Sequence, residues 1–167
     1  VEREQRLDAG MGLQVWLRQG IKWHDGEPLT SEDLCFTIDA MLNPDTPSQM
    51  AKPYREDIVS CTATAKDNSA VIQFAKKFYN PTERLSFALL PKHSFEGNTA
   101  ITPDNEFSLR PVGTGPMRGS KGRREVKFTA FGNAHHSASV PVISLAEGGD
   151  PLVQVRTLMN GGVQGVI

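Results

Sequence analysis

The side chains able to do chemistry in this chain fall into a few groups. His24 and Asp25 are adjacent, an imidazole beside a carboxylate as in a general acid–base pair. Adjacency in sequence does not place the ring on the carboxylate, and no G-x-S-x-G nucleophile accompanies them. They are read as loop hydrogen-bonding groups, with Trp23 as packing. His135, His136 and His93 are candidate metal ligands. Neighbouring histidines point in different directions on a strand or turn, and no carboxylate or cysteine stands at a ligand spacing, so no metal is expected. Gly113-Thr114-Gly115-Pro116 lacks the third glycine of a dinucleotide turn and the Lys-Ser/Thr of a phosphate loop. Its proline also removes an N–H that an anion would need, so the glycines are read as a tight backbone crossing and no cofactor is expected. The basic run Arg118, Lys121, Arg123 and Arg124 carries no aromatic residue to stack on bases and reads as a solvated hairpin or loop, not a nucleic-acid site. Arg84 is the polar residue singled out as a ligand contact. The apolar sequence from Leu85 to Pro91 would hold its stem, and a guanidinium grips a carboxylate through two parallel hydrogen bonds. The competing reading is a structural ion pair to Glu83, Glu56 or a loop acid.

These groups need elements to position them. Gly12 to Leu17 alternates as a half-buried strand, and Asp25-Gly26 with Pro28 punctuates a turn. Thr30 is placed to cap a helix running to about Leu42, with Asp33 reaching back to it and Leu29 and Leu34 forming a hydrophobic staple. Leu34, Cys35, Ile38, Met41 and Leu42 form its apolar stripe, while Glu32, Thr37 and Asp39 face away. Asn43-Pro44 stops it. Asp45 to Lys52 reads as a loop. Ile58 to Ala65 and Ala70 to Ala75 read as a hairpin about Lys66-Asp67-Asn68-Ser69. Pro81 opens a short helix through Leu85 toward Phe87, Leu89 to His93 is extended, and Thr99 to Arg110 reads as a loop made acidic by Asp104 and Glu106. Glu125 to Phe131 and Val140 to Ala146 read as strands. Asp150-Pro151 starts a helix to about Met159, with Leu152, Val155, Leu158 and Met159 on one face, and Asn160-Gly161-Gly162 ends it. Val163 to Ile167 begins another strand.

Cys35 lies on the helix stripe, and Cys61 alternates with Val59, Ala63 and Ala65, so both point toward a core. Two buried free thiols is the reading of the residues. A disulfide requires an oxidising compartment and a Cα separation that sequence does not supply.

The stretch Leu17-Arg18-x-Gly20-Ile21-Lys22-Trp23-His24-Asp25-Gly26-x-Pro28-Leu29-Thr30-x-x-Asp33 resembles the signature of extracytoplasmic solute-binding proteins of ABC importers, in the group that takes up peptides, opines and nickel complexes (family 5). A second match, Pro111-Val112-Gly113-Thr114-Gly115-Pro116, follows in the right order. The pattern departs at Met117, where the family places an aromatic residue, at His135, which replaces a tyrosine-like ring after Asn133-Ala134, and at Gln164, where Asp is frequent. The resemblance implies structural roles for Trp23, His24, Asp25, Gly26, Thr30, Asp33, Gly113, Thr114, Gly115 and Pro116. Family members are much longer than this chain. It implies an α/β fold of mixed sheets and helices, part of lobe I of a bilobal periplasmic-binding-protein-like fold. Residues 1–11 would end a preceding segment, 12–124 would form the smaller subdomain with the crossing loop, and 125–167 an incomplete part of the main-lobe sheet.

Composition agrees with a folded globular chain. It has 167 residues, 38% hydrophobic and 22% charged, with a formal net charge of −1, which favours neither nucleic acid nor an anionic membrane. No apolar run reaches bilayer-spanning length. The resemblance implies a non-enzyme, periplasmic or otherwise extracytoplasmic, secreted or lipid-anchored. It would capture a peptide-like solute by hinge closure and deliver it to an ABC permease. The other readings are a hydrolase or metal enzyme built on His24 and Asp25 or on His135 and His136, and a scaffold domain without a small ligand. Open sheet edges after Glu125 are expected to promote self-association.

Overall fold

The computed structural model describes residues 1–167 except 103–104, 123–124, 133, 135, 147–149, 162–163 and 165–167. Asp104, Arg123, Arg124, Asn133, His135 and most of the strand expected from Val163 therefore lie outside the described residues.

Alternation at Leu13 and Val15 puts two fully buried side chains on one face of a strand, Gly12–Trp16. It is β2 of an antiparallel four-stranded sheet that also contains β1 (Arg3–Leu7), β3 (Ile58–Thr64) and β4 (Ser69–Phe74), in the order β1-β2-β4-β3. The polar first residues, expected to find partners elsewhere, pair with β2 from Arg3↔Trp16 to Leu7↔Gly12. An edge strand with little to bury shows no apolar alternation, so the sequence marked no strand there. The expected hairpin is β3–β4. It turns through a short 3-10 stretch, Ala65–Asp67, and a left-handed Asn68 at φ 51°. Val59 does not share the face of Cys61, because the register shifts between Ile58 and Ser60 and leaves Val59 exposed.

The first helix, α1 (Ser31–Leu42), starts at Thr30 as expected, and Leu34, Cys35 and Ile38 join the core against the sheet. Thr37, expected to face away, is buried as well. The chain beyond Pro81 returns over the helix's far side, where Phe95 packs on Phe36 (5.3 Å between ring centroids) and Phe107 on Phe95 (5.0 Å). Two short helices carried no sequence expectation: α2 (Lys52–Asp57), which follows the loop expected to end at Lys52, and α3 (Glu106–Leu109), inside the loop expected from Thr99 to Arg110. Six and four residues are too few to display a helical period. α2 carries Arg55, whose Nε donates to the Met41 carbonyl (2.7 Å) and whose Nη2 donates to those of Asn43 (2.8 Å) and Thr46 (2.7 Å). One guanidinium thus satisfies carbonyls at and beyond the α1 C-terminus that the helix itself cannot. The helix expected at Pro81 is a 3-10 turn that ends at Leu85.

The two cysteines are bonded to each other. This corrects the reading of two free thiols: the Cα atoms of Cys35 and Cys61 lie 5.1 Å apart, within disulfide range, and the bond staples α1 to β3.

A second antiparallel sheet follows, ordered β5 (Met117–Lys121), β6 (Glu125–Ala130), β7 (Val142–Ala146). β5 and β6 form a hairpin from Met117↔Ala130 to Lys121↔Val126, so Arg118 and Lys121 belong to a strand. The chain passes from the first sheet to the second between Phe74 and Met117. The last helix, α4 (Pro151–Met159), is opened by Asp150, whose Oδ1 accepts from the Leu152 N–H at 2.7 Å. Its apolar residues Leu152, Val155, Leu158 and Met159 are exposed, as are Val142, Ile143 and Leu145 of β7.

Candidate functional site

The stretch from Leu17 to Asp33 folds as a looped-out hairpin between β2 and α1. Lys22 bridges to Pro28, the Leu29 N–H donates to the Ile21 carbonyl (2.9 Å) and that of Trp23 to Glu27 (2.8 Å). Gly26 makes the reversal possible at φ 99°, a conformation that L side chains rarely adopt. The fold then draws this loop inward through three of its signature residues.

Asp33 is the buried hub. Its Oδ2 accepts from the Thr30 N–H (2.8 Å) and from the indole N–H of Trp23 (3.3 Å), and its Oδ1 from the Lys92 N–H (2.8 Å). Its main-chain carbonyl accepts the Thr37 hydroxyl (2.7 Å), which in turn accepts the Leu90 N–H (2.8 Å). A buried carboxylate is tolerable only when so satisfied. One aspartate therefore serves as helix cap, tryptophan anchor and dock for the 90–92 segment.

His24 faces the other way. Its N–H donates to the Gly113 carbonyl (2.8 Å), its Nδ1 accepts the Gly113 N–H (3.2 Å), and its Nε2 donates to the Gly115 carbonyl (2.9 Å). Its ring meets Phe131 edge-on, 4.9 Å between centroids. A Cβ on Gly113 would come within 3.3 Å of the His24 ring, so the glycine allows the close approach; a Cβ on Gly115 would meet nothing. The two signature matches, some ninety residues apart, thus meet at one buried imidazole.

Asp25 turns to a third partner, the Nε2 of His93 at 2.7 Å, and also accepts the Glu27 N–H at 3.2 Å. Burial raises the Asp25 pKa, but the hydrogen bonds from His93 and Glu27 and the charge of His93 outweigh it and hold the carboxyl below its ordinary value. His93 also packs against Trp23, 6.5 Å between ring centroids. Next to it, Lys92 pairs with Glu32 at 2.7 Å. His24 and Asp25 therefore engage separate partners and form no dyad. Among the described residues, no group of three His, Cys, Asp or Glu side chains could hold a metal ion.

Arg84 lies in the 3-10 turn Pro81–Leu85. Its Nη1 lies 3.4 Å from Oδ2 of the buried Asp57, whose Oδ1 is 2.7 Å from Lys76 Nζ, and its guanidinium stacks 4.7 Å from the Phe78 ring. The ion-pair partner is thus Asp57, none of the acids named from the sequence. Nearly half of the Arg84 side chain stays exposed. Sequence reasoning missed Lys92 here, and it weighed His93 only as a metal ligand, not as the partner of Asp25. Nothing in an extended Leu-Leu-Pro-Lys-His run signals that its amides and ring close the signature loop from outside.

Comparison with known proteins fits this geometry. The family described as bacterial extracellular solute-binding proteins, family 5 Middle, matches residues 3–165. The oligopeptide-binding protein AppA of Bacillus subtilis is 32% identical over 123 residues, which cover 70% of this chain and 22% of that relative. Two solved structures superpose on 97% of this chain and 33% of their own, each with a TM-score of 0.82. They are NikZ from Campylobacter jejuni in complex with Ni(L-His), at 26% identity, and AppA from Bacillus subtilis in complex with a nonapeptide, at 25%. The chain thus spans between a fifth and a third of the length of these relatives. Its mixed sheets and helices are those of a family 5 binding-protein lobe, and the chain belongs to the family of bacterial extracellular solute-binding proteins, family 5.

Proposed function

We propose that this chain forms part of the first lobe of the solute-binding component of an ABC importer, which captures a peptide-like solute outside the cytoplasmic membrane and hands it to the permease. The observation that carries the reading is the His24 clamp. It joins the two stretches that resemble the family signature, in a chain that the family matches from residue 3 to residue 165. The Cys35–Cys61 disulfide supports an oxidising, extracytoplasmic address, where such bonds persist. Residues 12–112 would belong to the smaller subdomain and the second sheet to the main lobe. Arg84, braced by Asp57 and Phe78 with part of its guanidinium in solvent, is the residue proposed to face the solute.

Binding needs two walls, because a cleft gains affinity by burying most of its ligand. Losing two charge-assisted hydrogen bonds, at ~1.5–3 kcal/mol each, costs on the order of a hundredfold or more in affinity. Native mass spectrometry of the complete protein identifies the solute. Calorimetry with that solute at micromolar concentration should then show binding to the complete protein and none to residues 1–167. Equal affinity would place the whole site within this chain and overturn the assignment of lobes. In the complete protein Arg84→Ala should weaken the solute more than it lowers stability, and the reverse result would leave Arg84 as a brace for Asp57.

A further inference from the structure

The arc from Lys76 to Arg84 is held more firmly than a surface connection requires. Asp8, Ala9 and Gly10 follow one another in the left-handed region, at φ 47°, 52° and 99°. For the first two this conformation is strained, and such strain persists only where the surroundings enforce it. Here the arc enforces it. The Phe78 N–H donates to the Gly10 carbonyl (3.1 Å), and a Cβ on Gly10 would come within 2.5 Å of the Phe78 carbonyl oxygen. Next along, Arg6 Nη1 donates to the Tyr79 carbonyl at 2.8 Å, and Pro81 is fully buried. The Phe78 ring stands edge-on to Phe74, 5.3 Å between centroids, with Lys76 Nζ 5.5 Å from its centre on the charged side. On this braced backbone the Tyr79 side chain is left in solvent, the residue being 94% exposed.

The charges of the arc are braced but not satisfied. Lys76 and Arg84 share the one carboxylate of Asp57, and Glu83 is engaged by the Asn80 amide at 2.9 Å. Arg84 faces its Asp57 oxygen at 3.4 Å, and among the described residues none of its guanidinium N–H groups enters a hydrogen bond. Stacking on Phe78 fixes the plane of the guanidinium and leaves its donors to water. A fixed fork of free donors matches a carboxylate, which it can hold through two parallel bonds. A tyrosine whose backbone is already fixed offers a large contact face at little cost in side-chain freedom.

We infer that this arc is where the solute is selected, and that it takes a solute carrying a carboxylate beside an apolar group. Arg84 and Lys76 hold the carboxylate, and the apolar group lies on the Tyr79 ring. The inference rests on the reading of the chain as a solute-binding lobe and adds the class of solute. Gly10 is then a positioning residue, because it alone lets the β1–β2 turn come close enough to hold Phe78 under Arg84.

The test is calorimetry on the complete protein with four alanine pentapeptides. Each carries phenylalanine beside either glutamate or glutamine, with a free or an amidated C-terminus. The amidated glutamine peptide, which has no carboxylate, should bind about tenfold or more weaker than the best of the others, the loss of a charge-assisted hydrogen bond or two. The peptide that binds best tells whether a side-chain or a terminal carboxylate sits on Arg84. In Arg84→Gln the preference should vanish. Tyr79→Ala removes a side chain that the fold leaves in solvent, so it should keep the unfolding midpoint yet weaken all the peptides by about tenfold; it decides if the arginine variant fails to fold. Equal affinity for the four peptides, or a preference that survives Arg84→Gln, would overturn the inference and leave the binding-protein reading intact. Binding of none would overturn the peptide-like solute itself, and the inference with it. A Tyr79→Ala protein that unfolds earlier but binds as before would also overturn it, since the ring would then be covered by another part of the complete protein.

Discussion

Breaking the Cys35–Cys61 bond should weaken the first sheet by an amount that the loop length sets. The two residues are 26 apart in sequence, and closing a loop of that size removes denatured-state entropy worth about 3.5 kcal/mol at room temperature. The bond joins α1 to β3, the helix to an edge strand of its sheet, so the loss should register in both. The assay is native-state amide exchange in the complete protein with and without a reductant, following the slowest amides of α1 and β4. Because each 1.4 kcal/mol is a factor of ten, those amides should exchange about 300-fold faster after reduction. Alkylation without prior reduction, read by mass, should label neither cysteine. Two labelled cysteines would refute the bond itself. An intact bond whose reduction changes exchange by less than tenfold would refute the loop-entropy reasoning and move the strength of this helix–sheet contact to packing around Ile38 and Ile58.

Three further outcomes follow from the site. Asp33→Ala leaves the indole N–H of Trp23 and the main-chain N–H groups of Thr30 and Lys92 without their acceptor, all three bonded to one buried carboxylate, and should cost at least about 3 kcal/mol by urea unfolding. A loss under about 1 kcal/mol would mean that the donors find other acceptors. Arg55→Ala uncaps three carbonyls around the α1 C-terminus and should accelerate amide exchange in the last turn of α1 and at Asn43 more than in its first turn, with a cost of about 1–3 kcal/mol. The Asp25 carboxyl sits below its ordinary value of 3.8, so its pairing with His93 stabilises the fold above that value and is lost as pH falls through the lowered one. The pair is partly exposed and worth under about 1 kcal/mol. Asp25→Asn should therefore cost up to about 1 kcal/mol at neutral pH, and the difference from the unaltered protein should vanish as pH falls below ~4.

Local signals in this sequence were enough for the elements whose cause is local. Thr30 with Asp33 marked the start of α1 and Asn43-Pro44 its end, because caps and prolines act on their own neighbours. The β3–β4 hairpin was legible in Asp67-Asn68 between two apolar runs, and α4 in Asp150 with its apolar stripe. The signature stretches pointed to the family without any coordinates. What remained hidden depended on residues far apart in the chain. β1 has no apolar face and becomes a strand only because β2 offers an open edge. Thr37 is buried because the chain returns over α1 some fifty residues later. Cys35 and Cys61 bond because a helix stripe and a strand face arrive 5.1 Å apart, a distance that neither pattern encodes. His24 and Asp25 are neighbours in sequence, yet the tertiary fold sends one to Gly113 and Gly115 and the other to His93. A hydrogen bond needs both partners within about 3 Å, and for residues seventy to ninety positions apart only the packed core sets that distance.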